Sequence, residues 1–205
     1  RQEKEGGGQE DRRRAQLSGS DTCPALPVET AAERLLDGDV LACPTEGVWG
    51  LGCVHDDEAA LARVLALKQR DATKGLILIG ASRAMLQPLL APLEPAWRSR
   101  MDVAWPGPVT FVAPAARHVS ALLTGGRLTL AVRVSAHPEL GALTEQLGRP
   151  IVSTSANVSG DKPLNTPTAI RRAFGAGLDG IVAGELGGRR RPSDIVDVRT
   201  GRRLR

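Results

Sequence analysis

Hydroxyl and amide side chains follow two apolar segments that are predicted to be strands. These side chains are Thr45 after the segment 41–43, and Ser153, Ser155 and Asn157 after the segment 150–152. Ligand sites in open α/β sheets collect at such strand ends, so hydrogen-bond donors there indicate an anion site. A plain turn is the alternative, because serine, threonine and asparagine favour turns in any fold.

Cationic side chains close the segment between these two predicted strands. Lys68 and Arg70 follow a run of apolar positions with helical spacing, and Lys74 opens the next strand. Thr110 follows a Pro-Gly-Pro turn, and Arg133 lies on a later predicted strand. This inventory suits electrostatic binding of a phosphorylated ligand, with catalysis by positioning instead of covalent attack. Alternatively, the two cations at 68 and 70 simply complement the helix dipole.

Other chemistries leave no pattern in the sequence. There is no Ser-His-Asp order, HExxH motif or phosphate-binding loop, and the three histidines, at 55, 118 and 137, lack metal spacing. We therefore predict no metal site, although Glu46, the one acid in its loop, could reach a metal ion. Trp49 is predicted to be a packing aromatic, with the wall of a pocket as the alternative.

These candidate residues are positioned by a strand, a loop, a helix and a second strand. Leu41–Cys43 is the first strand, and three glycines in the loop 45–52 are expected to permit turns. Asp56 or Asp57 caps a helix whose apolar positions run from 60 to 67. A strand over 75–79 follows. This order is how α/β proteins deliver polar groups to one end of a sheet.

The remaining segments alternate in the same way. The sequence predicts helices over 30–36, 82–90, 95–103, 136–147 and 166–174, and strands over 109–113, 128–134, 150–154, 180–183 and 194–198. Because the strands at 109–113 and 128–134 are joined without a predicted helix, the sheet is expected to be mixed. The fold class is therefore α/β, with a single domain whose twisted mixed sheet is flanked by helices.

Composition limits the class of protein. The 205 residues carry a net charge of +4, 41% of them are hydrophobic, and no long apolar run occurs. We expect a soluble protein with no membrane span and a polyanionic partner. The three cysteines fit a reduced, cytoplasmic compartment. Residues 1–25 are predicted to be a disordered leader before a domain over 26–205.

Six segments together resemble the YrdC/TsaC family of threonylcarbamoyl-AMP synthases. They are PTEGVWGLG (44–52), LKQRDATKGLILI (67–79), WPGPVTFV (105–112), LAVRVSAHP (130–138), STSANVSG (153–160) and PSDIVD (192–197). Each segment alone is weak, but six in the same order and spacing are specific. The resemblance runs from about residue 26 onward, and over this range the chain resembles the short bacterial form of the family.

This resemblance implies a twisted α/β sheet around a large basic cavity. It also implies a nucleotidyltransferase that converts L-threonine, bicarbonate and ATP, with Mg²⁺, into threonylcarbamoyl-adenylate and pyrophosphate. The product would serve a tRNA-modifying threonylcarbamoyl transferase complex, which forms N6-threonylcarbamoyladenosine at position 37 of tRNAs that read ANN codons.

The resemblance also implies roles for individual residues. Lys68 and Arg70 would be catalytic and would hold the phosphates and the carbonate-derived group. The implied ATP-binding set is Lys68, Arg70, Thr110, Arg133, Ser153, Ser155 and Asn157. The implied threonine-binding set is Thr45, Arg133 and Ser193. Since a cationic helix end is not expected in a core, Lys68→Ala is predicted to abolish turnover while leaving the fold intact.

A different class of function stays open. The segment 189–205 carries seven arginines against two acids, which would suit contact with phosphates of RNA. A non-catalytic factor that binds tRNA or double-stranded RNA, or that supports assembly, could use the same basic cavity. That alternative predicts salt-sensitive RNA affinity without threonine-dependent turnover.

Overall fold

Strands and helices alternate along the chain, as the α/β pattern predicts. The structure is a computed structural model that describes residues 25–189 and 191–205. Its strands are β1 (Ala25–Leu26), β2 (Leu41–Cys43), β3 (Gly50–Gly52), β4 (Ile77–Gly80), β5 (Val109–Pro114), β6 (Thr129–Val134), β7 (Ile151–Val152), β8 (Thr154–Ser155), β9 (Gly180–Val182) and β10 (Asp194–Asp197). Its α-helices are α1 (Val28–Leu36), α2 (Glu58–Leu67), α3 (Arg83–Leu86), α4 (Pro95–Ala104), α5 (Ala121–Thr124), α6 (Pro138–Leu147) and α7 (Pro167–Phe174). The predicted leader lies outside the described residues except for Ala25.

The strands form two mixed sheets of five strands each. The first has the order β1-β9-β2-β3-β8, and the second has the order β10-β5-β6-β4-β7. Parallel pairs join β9 to β2 and β4 to β6, whereas β2 and β3 are antiparallel, as are β5 and β6. The predicted mixed α/β architecture is confirmed, and the structure adds the division into two sheets.

The chain changes sheets at Ser153. Val152 pairs with Leu78 in the second sheet, while Thr154 pairs with Leu51 in the first. The prediction of one continuous strand over 150–154 is therefore wrong. Ser153 lies at the point where the two sheets meet.

Two glycines of β3 let this junction close. A Cβ atom on Gly50 would lie 2.5 Å from the Ser153 hydroxyl, and one on Gly52 would lie 2.7 Å from the carbonyl of Val152. Neither glycine has a positive φ. The expectation that these glycines serve as turn residues is wrong, because close approach of a neighbouring strand is what requires them.

Apolar side chains pack on both faces of β2. Ala42 belongs to a large core cluster with Leu51 of the first sheet and Phe111 of the second, so this cluster joins the two sheets. Leu41 and Cys43 belong to a smaller cluster, which packs beneath α1 and α6. Trp49 is 2% exposed and lies in the large cluster, which confirms its predicted packing role.

Helix boundaries follow the capping residues. The carboxylate of Asp57 accepts a hydrogen bond from the amide of Ala60 at 2.9 Å, which fixes the start of α2. Ser82 and Thr166 cap α3 and α7 in the same way. The predicted helix over 82–90 shortens to α3 and a 3-10 turn, because Pro88 cannot continue the amide pattern. Within the described ranges, no helix is long and apolar enough to cross a membrane.

Candidate active site

A cavity of about 460 Å³ is lined by residues of both sheets. Six of the nine predicted site residues lie on its wall: Thr45, Arg70, Arg133, Ser153, Ser155 and Ser193. The other three, Lys68, Thr110 and Asn157, lie behind that wall. The structure therefore brings residues from distant parts of the sequence to one cavity, with a second layer that contacts it.

Lys68 is buried at the C-terminal end of α2. It is 1% exposed, and its ammonium donates hydrogen bonds to the carbonyl oxygens of Ser155 and Asn157, the latter at 2.8 Å. Burial, followed by the charge of Arg70, lowers the pKa of Lys68 to about 8. The expectation that this cationic helix end lies outside the core is wrong. Lys68 ties α2 to the loop after β8.

A single residue separates Lys68 from Arg70 and turns the chain between them. Gln69 has a φ of +46°, a left-handed conformation that is uncommon for side chains other than glycine. Arg70 consequently faces the cavity, and its Nε and Nη2 donate to the carbonyl oxygen of Gly75 at 3.2 and 3.1 Å. Two of its five N–H groups are used in this way, so three stay available for a ligand.

Asn157 orders the loop after β8. Its amide nitrogen donates to the carbonyl oxygens of Val158 and Asp161, at 2.7 and 3.0 Å. Its Oδ1 is buried and has no hydrogen-bond partner within the described part of the chain. Asn157 therefore supports the backbone that Lys68 also holds, and it retains one free acceptor.

A buried ion pair fixes Arg133 on β6. Nη1 of Arg133 donates to Oε2 of Glu46 at 2.8 Å, while Oε1 of Glu46 accepts from the hydroxyl of Ser135 at 2.8 Å and from the amide of Ala136 at 3.0 Å. Burial lowers the pKa of Arg133, and the charge of Glu46 opposes that shift. Nε of Arg133 has no partner among the described residues. Glu46 thus holds Arg133 in place.

Hydroxyl groups complete the wall and its second layer. Thr45 donates from Oγ1 to the carbonyl oxygen of Val48 at 2.6 Å, which folds the loop between β2 and β3. The hydroxyls of Thr110 and Ser193 lie 2.9 Å apart, so the buried Thr110 contacts a residue of the wall. The contact between Thr110 and Ser193 joins residues that are 83 positions apart in the chain.

The cavity wall is strongly cationic. Its charged side chains are Arg70, Lys74, Arg127, Arg133 and Arg205, and no aspartate or glutamate lines it in the part of the chain that the structure describes. Burial lowers the pKa of Arg70, and the charges of Arg205 and Arg127 lower it further, as expected for guanidinium groups close together. A wall of this kind attracts an anion and neutralises charge that develops on phosphate oxygens.

Three of these cations were not predicted as site residues. Lys74 was noted only at the start of a strand, and Arg205 only as part of an arginine-rich segment. Arg127 precedes the predicted strand 128–134, and the two-residue spacing of Arg127, Thr129, Ala131 and Arg133 could have identified it. Arg190 lies outside the described residues.

The structure assigns structural contacts to the other residues considered. His137 contacts the carbonyl oxygen of Glu185 through Nε2 at 2.9 Å, and it precedes α6. Glu46 is engaged by Arg133, so the alternative that it binds a metal ion has no support. Within residues 25–189 and 191–205, no group of three or more histidine, cysteine or acidic side chains could hold a metal ion. Cys43 and Cys53 are buried, and burial raises the pKa of each thiol to about 12.

Comparison with known proteins connects this cavity to one family. The Sua5–YciO–YrdC family model, described as "Telomere recombination", matches residues 33–205. A threonylcarbamoyl-AMP synthase of Nitrosococcus oceani is 50% identical over 183 residues, which cover 89% of this chain and 99% of that relative. A threonylcarbamoyl-AMP synthase of Thiobacillus denitrificans is 51% identical, with 82% and 89% of the two chains covered.

Solved structures with the same fold include two of moderate sequence identity. Sua5 of P. abyssi, crystallised in complex with L-threonine, has a TM-score of 0.79 and 33% identity; the match covers 83% of this chain and 50% of that one. E. coli YciO has a TM-score of 0.74 and 28% identity, over 83% and 82% of the two chains. This chain therefore spans about half the length of the Sua5 chain and most of the YciO chain.

Proposed function

The chain belongs to the Sua5–YciO–YrdC family, and we infer that it is a threonylcarbamoyl-AMP synthase. It is then an enzyme that transfers a nucleotidyl group. The observation that carries this inference is a cavity whose described lining has five cations and no acidic side chain, in a chain that is 50% identical to a synthase over 183 residues. Such a cavity suits a reaction whose reagents are all anionic or carry a carboxylate.

The reaction proceeds by two bond-forming steps. The amine of threonine attacks the carbon of bicarbonate, a C–N bond forms and water leaves, which gives N-carboxythreonine. A carboxylate oxygen of that species then attacks the α-phosphorus of ATP. The bond from this phosphorus to its bridging oxygen breaks, and pyrophosphate leaves. Neither step needs a nucleophile from the protein, in agreement with a wall built from cations and hydroxyls.

Threonine is placed at the end of the cavity near Arg133. Nε of Arg133 is buried without a partner, so it can donate to a carboxylate, and Glu46 fixes the guanidinium so that little freedom is lost on binding. Thr45 lies on the same wall. In Sua5 of P. abyssi the crystallised ligand is L-threonine. Ser193, supported by Thr110, is proposed to complete this part of the site.

The nucleotide is placed along the remaining wall. Arg70 offers three free N–H groups, and the hydroxyls of Ser153 and Ser155 line the same surface. These groups would neutralise and orient the α-phosphate as the pentacoordinate transition state forms. We therefore assign Arg70 the catalytic role predicted for it.

Lys68 is proposed to act as a positioning residue in the conformation described. Its ammonium bonds to the carbonyls of Ser155 and Asn157, and it is absent from the cavity wall. Its positive charge would still contribute to the potential in the cavity, because a buried site screens charge poorly. By this proposal Lys68 is essential for turnover through the placement of Ser155.

Magnesium is proposed to enter with ATP as a substrate complex. Mg²⁺ prefers oxygen ligands and often keeps water and substrate phosphates as its ligands. Among the described residues that line the cavity there is no aspartate or glutamate, the side chains that usually bind Mg²⁺. The phosphate oxygens and water would then hold the ion.

The product identifies the reaction. Incubation with ATP, isotopically labelled bicarbonate and L-threonine should yield a labelled adenylate with the mass of threonylcarbamoyl-AMP. Arg133→Gln, with the neighbouring wall intact, is expected to raise the KM for threonine. If labelled product formed equally well with any amino acid, the result would support the adenylation reaction but contradict selectivity for threonine.

Transfer of the product to tRNA is a further proposal. Threonylcarbamoyl-adenylate is a reactive mixed anhydride, so a transferase that acts on tRNA should consume it promptly, as expected for formation of N6-threonylcarbamoyladenosine. Direct tRNA binding is tested by filter binding over a range of salt concentrations. Several arginines of the segment 189–205 are engaged internally, since Asp194 forms ion pairs with Arg189, Arg191 and Arg203. The non-catalytic RNA-binding alternative is therefore not favoured. The cytoplasmic location stays a prediction, which cell fractionation tests.

A further inference from the structure

β6 and the bend before it each contribute one arginine to the cavity wall. Thr129, Ala131 and Arg133 line the cavity from one side of β6, because successive side chains of a strand alternate between its faces. Arg127 lines the cavity from the bend that precedes β6. The amide of Ala115 donates to the carbonyl of Leu128 at 3.0 Å, so the pairing with β5 continues before β6 begins.

Arg127 is tied to the segment 73–75. Its Nη1 donates to the carbonyl of Thr73 at 2.6 Å, and its Nη2 donates to the carbonyl of Lys74 at 2.9 Å. Arg70 bonds to the carbonyl of Gly75 in the same segment. Two guanidinium groups therefore pack on three consecutive residues, and the side chain of Lys74 adds a third charge to the same part of the wall.

Acidic side chains act on these charges only from beyond ion-pair distance in the described part of the chain: Asp71 raises the pKa of Arg70, and Asp194 raises the pKa of Arg205. Among the described residues, Arg70, Lys74, Arg127 and Arg205 form no ion pair with an aspartate or glutamate, whereas Arg133 is paired with Glu46. Arg127 uses two of its five N–H groups on backbone carbonyls, which leaves three. Fixed guanidinium groups of this kind bind phosphate oxygens at a small entropic cost.

We propose that Arg127, together with Lys74, forms a polyphosphate subsite at the cavity rim that binds the β- and γ-phosphates of ATP and then the released pyrophosphate. This proposal rests on the proposed function for the identity of the nucleotide. The paired Arg133 binds the single carboxylate of threonine at the other end of β6. The two anionic parts of the reagents are thereby bound by different cations of the wall.

Binding of inorganic tripolyphosphate tests the subsite without turnover. Calorimetry should show binding to the wild-type protein, and Arg127→Gln should weaken it about tenfold, the ratio expected for the loss of one charge-assisted hydrogen bond at an exposed position. Lys74→Gln should weaken it by a similar factor and leaves the two carbonyl bonds of Arg127 in place. The control is Arg117→Gln, an exposed arginine outside the cavity wall, which should change nothing.

Binding of AMP and threonine shows whether Arg127 contacts the phosphates of ATP or only supports the segment 73–75. If Arg127 contacts the β- and γ-phosphates, Arg127→Gln should leave the affinity for AMP and the KM for threonine at wild-type values while it raises the KM for ATP about tenfold. A purely structural role would disturb Arg70 through the segment 73–75, and AMP affinity would then fall as well. Arg127→Lys should restore part of the tripolyphosphate affinity.

The possible outcomes test the proposed subsite separately from the proposed function. Wild-type tripolyphosphate affinity in both Arg127→Gln and Lys74→Gln would overturn the subsite even if the enzyme makes its product. Arg127-dependent tripolyphosphate binding without any threonine-dependent product would support the subsite and overturn the proposed reaction. An equal loss of AMP and tripolyphosphate affinity in Arg127→Gln would also overturn the subsite.

Discussion

Replacement of Lys68 by methionine tests whether a buried ammonium supports the site. Methionine keeps much of the length of lysine but cannot donate to the carbonyls of Ser155 and Asn157. The carbonyl of Asn157 would be left unsatisfied, which costs about 1–3 kcal/mol, whereas the carbonyl of Ser155 keeps its bond from the amide of Asn157 at 2.9 Å. Loss of the charged hydrogen bond to Ser155 adds about 1.5–3 kcal/mol. Charge burial opposes this loss, because methionine needs no desolvation.

The magnitude of the opposing effect follows from the pKa of Lys68. A fall from 10.5 to about 8 corresponds to about 3 kcal/mol of unfavourable charge burial, since one pKa unit is about 1.36 kcal/mol. At pH 7 the two effects partly cancel, and we expect Lys68→Met to destabilise the fold by about 1–3 kcal/mol. Lys68→Ala should cost more, because it also leaves a cavity.

The pKa of Lys68 determines how the stability of the wild type relative to Lys68→Met changes with pH. Between the folded pKa of about 8 and the unfolded value of 10.5, the unfolded chain binds more protons at Lys68 than the folded chain does. Wild-type stability relative to Lys68→Met should therefore rise as the pH increases through this window, by up to about 3 kcal/mol. Below pH 8 both states are protonated, and the difference should be constant.

Urea unfolding followed by tryptophan fluorescence measures this difference at pH 7, 9 and 10.5. Lys162→Met is the matched control, because Lys162 is exposed in the same polar loop that Lys68 supports. That control should show no pH-dependent change relative to the wild type. A Lys68→Met protein whose stability deficit shrank or stayed constant with rising pH would refute the reasoning. Turnover of Lys68→Met near the wild-type rate would refute the positioning role of Lys68.

Three further outcomes follow from the same structure. Glu46→Gln weakens the hold on Arg133, so the KM for threonine should rise about tenfold with a smaller change in kcat; an unchanged KM would argue against the threonine assignment. Gly50→Ala places a Cβ atom 2.5 Å from the Ser153 hydroxyl and should cost about 1–3 kcal/mol in urea unfolding, whereas Gly141→Ala, in open space on α6, should stabilise by about 0.5–1 kcal/mol. In a Cys23→Ser background, the two buried cysteines, with thiol pKa values of about 12, should react with a disulfide reagent at pH 8 only after unfolding, and rapid reaction of that native variant would contradict their burial.

Local patterns predicted the elements that position the site. Apolar spacing from 60 to 67 and the carboxylate at Asp57 define α2, and the structure confirms both. Thr166 and Pro167 likewise define the start of α7. These features depend on residues close in sequence, which is why one sequence suffices to predict them.

Contacts between distant segments could not be predicted in the same way. The inward direction of Lys68 depends on carbonyls at 155 and 157, and a helix-terminal lysine normally faces water. The close approach of Ser153 to Gly50 depends on the division into two sheets. Short α5, with four residues, has too few apolar positions for a periodic pattern.

The candidate site also contains residues that the sequence predicted and residues that only the structure identified. Thr45, Arg70, Arg133, Ser153, Ser155 and Ser193 were predicted from family motifs and lie on the cavity wall. Arg127 lies outside those motifs, and its hydrogen bonds to the carbonyls of Thr73 and Lys74, more than 50 positions away, hold it at the wall. The assignment of individual roles to these residues stays a prediction.

Pyrophosphate release from ATP, with threonine and bicarbonate each omitted in turn, tests the proposed function most directly. We expect release only when both are present, and we expect Arg70→Gln to reduce it strongly while Arg117→Gln leaves it unchanged. Release that continues without threonine or without bicarbonate would contradict the proposed reaction, as would the absence of release when all three substrates are supplied to the folded protein.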